Sequence, residues 1–98
     1  MSIRVFIRRQ VKKGKVQSVL SLLKEFRAVA INQPGYISGE TLINHYNSQT
    51  ILILSTWEKL DDWIRWESSE ERAVNEARIE SLLEEPTKYE IYNFSISQ

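Results

Sequence analysis

Residues 50–57 read Thr-Ile-Leu-Ile-Leu-Ser-Thr-Trp, and the run Ile51-Leu52-Ile53-Leu54 puts apolar side chains on both faces of the strand it predicts. A strand reads this way when both faces of its sheet are covered. On its N-terminal side, His45-Tyr46-Asn47-Ser48-Gln49 is a polar hairpin loop, and Tyr36 to Asn44 reads as the partner strand, interrupted near Gly39. Asn32-Gln33-Pro34-Gly35 stops a helix, because Pro lacks a backbone donor and Gly tolerates positive φ. That helix is predicted over about 15–31, where Val16, Val19, Leu20, Leu23, Phe26 and Ala30 recur at helical spacing. Before it, Lys12-Lys13-Gly14-Lys15 is a loop, and residues 3–11 alternate as a strand. Ile3, Val5, Ile7 and Val11 fall on one face of that strand and Arg4, Phe6, Arg8 and Gln10 on the other.

On the C-terminal side, Leu60 to Trp66 is a short helix with Asp61 and Asp62 in its first turn, where the macrodipole favours them. Ser68 and Glu71 are spaced as a capping box, which starts a further helix through Ala73, Ala77, Ile79, Leu82 and Leu83, ended by Pro86. Lys88 to Ile96 alternates as a last strand, with Tyr89 and Ile91 against Tyr92, Phe94 and Ile96. The order is β-α-β-β-α-β, with the second helical region broken in two. It predicts an α+β, ferredoxin-like split βαβ fold: a four-stranded antiparallel sheet with the first and third strands in the centre. Residues 1–98 read as a single domain.

Composition narrows the chemistry. The 98 residues carry 13 Lys and Arg against 13 Asp and Glu, with one His and no Cys. No thiolate zinc site, thiol nucleophile or two-histidine metal site follows from that inventory, so no metal is expected. The glycines stand at 14, 35 and 39, which excludes a glycine-rich phosphate loop and Rossmann-type flavin or nicotinamide binding. Glu70-Glu71 and Glu84-Glu85 are adjacent on the chain and diverge, so neither is an acid/base pair. The start alternates apolar and charged residues, unlike a signal peptide, and no stretch approaches a membrane span. A soluble, cytoplasmic protein is expected, with no membrane partner.

The neutral total conceals a split. Residues 1–49 hold eight basic and two acidic groups, and residues 50–98 hold five basic and eleven acidic. The predicted strand order interleaves the halves in one sheet, so complementarity within the fold is expected. The basic run from Arg8 to Lys15 is short, and nucleic acid is not an expected partner.

A sheet with both helical regions on one side leaves its other face bare. That face is predicted to hold Phe6, Leu52 or Leu54, Tyr92 and Phe94, a patch that marks an interface. The expected solution is a homodimer with the sheets packed face to face, with Phe6, Arg8, Tyr92 and Phe94 at the interface. Antiparallel pairing of the first and last strands is expected to bring Arg8 near Glu90.

Trp57, Trp63 and Trp66 fall within ten residues, with Trp63 and Trp66 on one face of the short helix. Ser55-Thr56-Trp57-Glu58, Asp62-Trp63-Ile64-Arg65-Trp66 and Gln33-Pro34-Gly35-Tyr36, with Ile79 to Leu83 and Glu85-Pro86-Thr87, resemble the antibiotic biosynthesis monooxygenase domain family over nearly the whole chain. The resemblance implies a dimeric α+β barrel. It also implies one of two activities: cofactor-independent oxygenation of quinol-like and aromatic molecules, or haem degradation. Trp66 matches the pocket-lining tryptophan of the oxygenase members. Haem-degrading members use a first-strand asparagine, here Ile7, and a haem-ligating histidine, here at about Asn75 or Glu76. Those departures speak against haem degradation, since Ile cannot hydrogen-bond and neither Asn nor Glu is a usual proximal ligand.

The expected function is therefore that of a small monooxygenase needing no cofactor, acting on an aromatic or quinol-like molecule and molecular oxygen. Trp66 would orient a substrate oxygen, and Ile7, Trp63, Asn75 and Tyr36 would line the pocket. Tyr36 and Tyr92 are candidate hydrogen-bond donors. His45, the sole side chain with an unperturbed pKa near neutral, is a candidate base. The alternative is a non-catalytic dimeric module that binds a small ligand or is purely structural, and haem degradation stands third.

Overall fold

The structure, a computed structural model, describes residues 2–95. Its elements are β1 (Ile3–Gln10), α1 (Val16–Ala30), β2 (Tyr36–Ile43), β3 (Thr50–Trp57), α2 (Leu60–Glu67), α3 (Glu70–Glu80) and β4 (Lys88–Asn93). The sheet runs β2-β3-β1-β4 with every neighbour antiparallel, so β1 and β3 are central as the split βαβ order requires. Among the described residues no helix is long and apolar enough to cross a membrane.

Period-2 alternation decides the layers. Ile3, Val5 and Ile7 of β1 face the helices and are buried, as are Val19, Leu23 and Phe26 of α1 and Trp63 and Trp66 of α2. Alternation also puts Arg9 on that inner face, where its side chain is only 1% exposed. The outer face carries Phe6, Leu52, Leu54 and Tyr92, with the Phe6 and Tyr92 rings 5.0 Å apart, edge to face. Tyr92 and Phe94 remain 50% and 47% exposed.

Several expectations change in detail. The α3 cap is Ser69, whose Oγ accepts from Arg72 N at 3.2 Å, because Ser68 is spent closing α2 on Ile64 O at 2.7 Å. Helix α3 ends at Glu80, and Ala73 and Ala77 are exposed; its buried side chains are Arg72 and Ile79. Leu83 instead forms a bridge with Val11, and Glu84 N donates to Gln10 O at 2.8 Å, so backbone pairing rather than helix covers the end of β1. Strand β4 stops at Asn93: Phe94 and Ser95, predicted to extend it, are not strand, and Ile96 lies outside the described residues. Arg8 does not face Glu90: the register sets Arg8 opposite Lys88 and Glu90 opposite Phe6, and Glu90 accepts from the Tyr92 hydroxyl at 3.0 Å.

The interruption in β2 falls between Tyr36 and Ser38, just ahead of Gly39. Tyr36 packs edge-on against Trp57, with ring centres 5.3 Å apart, and its hydroxyl occupies the space that a Cβ on Gly39 would need. Gly35 is more constrained. It has φ +82°, and a Cβ there would overlap the buried Asp62 carboxylate. Gly35→Ala is expected to destabilise by about 2 kcal/mol from the left-handed backbone alone, and by more from the collision. Thermal denaturation checks this, and a melting temperature equal to wild type would contradict it.

Candidate active site

A cavity of about 70 Å³ lies between the inner face of the sheet and the three helices. Ile7, Ile53 and Trp57 come from the central strands, Phe26 and Leu23 from α1, and Trp63 and Trp66 from α2. Tyr36 closes one side from β2. Spacing of three on α2 brings both tryptophans to this wall, and the rings interlock: Phe26–Trp66 at 5.6 Å and Trp57–Trp63 at 5.9 Å between centres. The Trp57 indole donates to Ser55 Oγ at 3.1 Å. Trp63 and Trp66 make no indole hydrogen bond among the described residues. Exposed Arg27, Glu40 and Thr41 border the mouth.

One end of this apolar cavity is cationic. Arg9 and Arg72 both line it, while Glu76 sits behind them. Arg9 grips Glu76 with two parallel hydrogen bonds, Nη1 to Oε2 at 2.9 Å and Nη2 to Oε1 at 3.0 Å, and Nη1 also reaches Thr87 Oγ1 at 3.1 Å. Arg72 stands 3.4 Å from the same carboxylate and donates to the Tyr89 hydroxyl at 2.8 Å. Its guanidinium is wedged among Phe26, Trp63 and Tyr89, 5.4–5.5 Å from each ring centre. Burial pushes the Glu76 carboxyl upward, but the Arg9 hydrogen bonds and the charges of Arg9 and Arg72 outweigh it and hold the group below its ordinary value. Burial raises the Tyr89 hydroxyl above its ordinary value, so it stays protonated near neutrality.

Four expected site residues, Ile7, Tyr36, Trp63 and Trp66, meet in this cavity. Asn75 does not line it: it sits half-buried at the flank of the buried side of α3 and accepts from Arg78 at 3.4 Å. A helix advances 100° per residue, and the buried side of α3 is set by Arg72 and Ile79. His45 is exposed in the β2–β3 loop, stacked edge-on with Tyr46 and outside the lining. Phe6, Arg8, Tyr92 and Phe94 belong to the outer face and its margin, away from the cavity. Arg9 and Arg72 were not among the expected site residues. The alternation through Ile7 and Val11 was the signal for Arg9, since position 9 falls on the same face.

The residues do not fit a haem site. Glu76 is occupied by two arginines, Asn75 does not line the cavity, and Ile7 has no polar atom beyond its backbone. Among the described residues no group of His, Cys, Asp and Glu is arranged to hold a metal ion.

The sequence matches the profile of the family described as antibiotic biosynthesis monooxygenase over residues 2–74. No curated protein sequence matches the chain significantly. Solved structures share the fold at low identity. A conserved protein from Methanosarcina mazei Go1 superposes with a TM-score of 0.92 at 22% identity, covering 97% of this chain and 94% of that one. SnoaB, a cofactor-independent oxygenase from Streptomyces nogalater, gives 0.85 at 13% identity, covering 99% and 98%. Rv0793 from Mycobacterium tuberculosis gives 0.87 at 11% identity over all of both chains.

The ion cluster makes stability depend on pH. A carboxyl whose pKa is lower folded than unfolded stabilises fully above its unfolded value, and that contribution is lost as pH falls through the folded value. Glu76→Gln is expected to cost about 3 kcal/mol at pH 7, at the low end for breaking a buried pair because the carboxylate keeps 16% exposure. Urea denaturation of both proteins across a pH series should show the difference shrinking below the ordinary value of 4.5. A gap that is constant with pH would place the cost elsewhere.

Proposed function

We propose that this chain, which belongs to the antibiotic biosynthesis monooxygenase family, is a small cofactor-independent monooxygenase acting on a single-ring phenol or quinol. The observation that carries this reading is the cavity walled by Phe26, Trp57, Trp63 and Trp66, a cluster of tilted and edge-on rings that gives a flat aromatic ligand apolar walls. Its volume of about 70 Å³ is far below the ~300–1,000 Å³ of pockets for drug-sized ligands, which favours one small ring over a polycycle. The solved oxygenase of the same fold, SnoaB, supports the reaction class.

In such a reaction the deprotonated substrate itself supplies electrons to oxygen. For a hydroquinone, one oxygen atom enters the ring and the product is a hydroxyquinone. The other oxygen leaves as water with the two hydrogens the substrate loses. The protein binds the ring, stabilises its anion and excludes bulk water. Trp66 presents its indole N–H toward a substrate oxygen, and Trp63 walls the pocket.

A rival reading, a ligand-binding module without catalysis, is favoured by one observation. The cavity interior offers no general base among the described residues: Glu76 is saturated by arginines, Glu40 is exposed at the mouth in the outer-face row, and His45 is remote within the chain. Oxygen uptake with a hydroquinone panel separates the two. Wild type is expected to exceed the autoxidation background, with Trp66→Phe reduced at least about tenfold, in line with loss of one oriented hydrogen-bond donor. Background rates for both proteins across the panel would leave only the module.

The outer face supports a homodimer. Tyr92, Phe94 and Leu42 are each more than two-fifths exposed, and Leu42, Leu52, Leu54, Phe6 and Tyr92 form an apolar stripe across the sheet, flanked by Arg4, Arg8, Glu40 and Glu90. Two such sheets packed face to face would put Phe6, Arg8, Tyr92 and Phe94 at or around the interface. Light scattering at micromolar concentration should give twice the chain mass, and Phe6→Asp should shift it toward the monomer. A monomeric wild type would remove the proposal.

A further inference from the structure

We propose that the cavity selects its ligand as an anion, with Arg72 and Arg9 holding a deprotonated ring hydroxyl at the closed end. This rests on the aromatic-ligand reading above and adds the charge state and the residues that set it.

The asymmetry of the lining carries the argument. Arg9 and Arg72, 1% and 6% exposed at the side chain, both line the cavity, whereas Glu76, which pairs with them, does not. Glu80, one turn further on, accepts Thr87 N–H at 3.2 Å and is also absent from the wall. The other charges near the cavity, Arg27 and Glu40, stand exposed at the mouth, and Glu40 pairs with Leu54 in the outer-face row. Tyr89, facing the cluster from β4, is held neutral. A ligand atom at the closed end therefore meets positive charge in surroundings poor in water, where attraction to an oxyanion is much stronger than in bulk.

Donors are also left over. Arg9 Nε is buried without a hydrogen-bond partner. Arg72 directs Nη2 at Tyr89 and Glu76, and its remaining guanidinium donors have no partner among the described residues. Each guanidinium carries five N–H groups in a rigid fork, so the supply exceeds what one carboxylate, one threonine and one tyrosine consume. The three rings around Arg72 fix the plane of its fork. A structural network tying α3 to β1 and β4 uses Glu76, part of Arg9 and one Nη of Arg72, and the donors it leaves over belong to two residues that line the cavity.

The probe is 4-nitrophenol, whose phenolate absorbs visible light and whose phenol does not. Absorbance of probe with excess wild-type protein, followed against pH, reads the apparent pKa of the bound probe. Phenolate binding about tenfold tighter than phenol lowers it by one unit. That downward shift is expected in wild type, retained in part by Arg72→Lys and abolished by Arg72→Met, with folding of each variant checked by circular dichroism. The neutral isostere 4-nitrotoluene, with a methyl in place of the hydroxyl, is expected to bind at least tenfold more weakly than the phenolate. An unchanged or raised probe pKa, absence of binding at millimolar probe, or a full shift persisting in folded Arg72→Met would overturn the proposal. If Arg72→Met fails to fold, the wild-type shift and the isostere comparison decide it. The assay involves no turnover: a shift without oxygen uptake removes the oxygenase reading alone, and uptake without a shift removes the anion selection alone.

Discussion

The two parallel hydrogen bonds between Arg9 and Glu76 are the contact on which the interior depends. Arg9 sits near the end of a central strand, in a row of otherwise apolar inward positions, and a guanidinium there is tolerable only if a carboxylate is buried with it. Glu76 lies on α3, so the pair fixes how α3 lies against β1. That placement carries Arg72 into the ring cluster and leaves room between α2, α1 and the sheet for the cavity. A helix with an apolar inner stripe would collapse onto β1 and fill that room. Polar cost and open volume are therefore two aspects of one arrangement.

Much of this fold was legible because its layers are written in alternating and helical periods. The doubly apolar stretch around Ile51–Leu54 announced a central strand, and Val16 to Ala30 announced the long helix; both boundaries moved by a residue or less. The α3 region was harder. Its apolar residues Ala73 and Ala77 are small and tolerate exposure, while Arg72 buries beside Ile79 and Glu76 half-buries with it, two charges that a hydrophobic pattern reads as surface. The cap moved from Ser68 to Ser69 because two neighbouring serines compete, and only the geometry of the α2 terminus assigns each to its helix.

The site divides in the same way. Its aromatic wall was visible in the spacing of Trp57, Trp63 and Trp66, and in a resemblance that the family profile bears out. Its cationic end was not. Arg9 and Arg72 lie 63 positions apart in the chain, and their meeting depends on pairing partners that no local window contains. A lone arginine in an alternating strand ordinarily signals an edge or an outer face; here the alternation and the chemistry pointed opposite ways, and the alternation prevailed.

The central place of β1 has a consequence for how the chain reaches this state. Its neighbours in the sheet are β3 and β4, and the groups that pair with its buried charge are Glu76 and Thr87. The first strand to leave a ribosome is thus the last to find all its partners, and through most of synthesis it is an apolar ribbon carrying an unmatched cation. Helix α1 and the β2–β3 hairpin have local partners and can form early. Closure waits for the C-terminal third, so the domain is built to snap shut late, through contacts of high sequence separation.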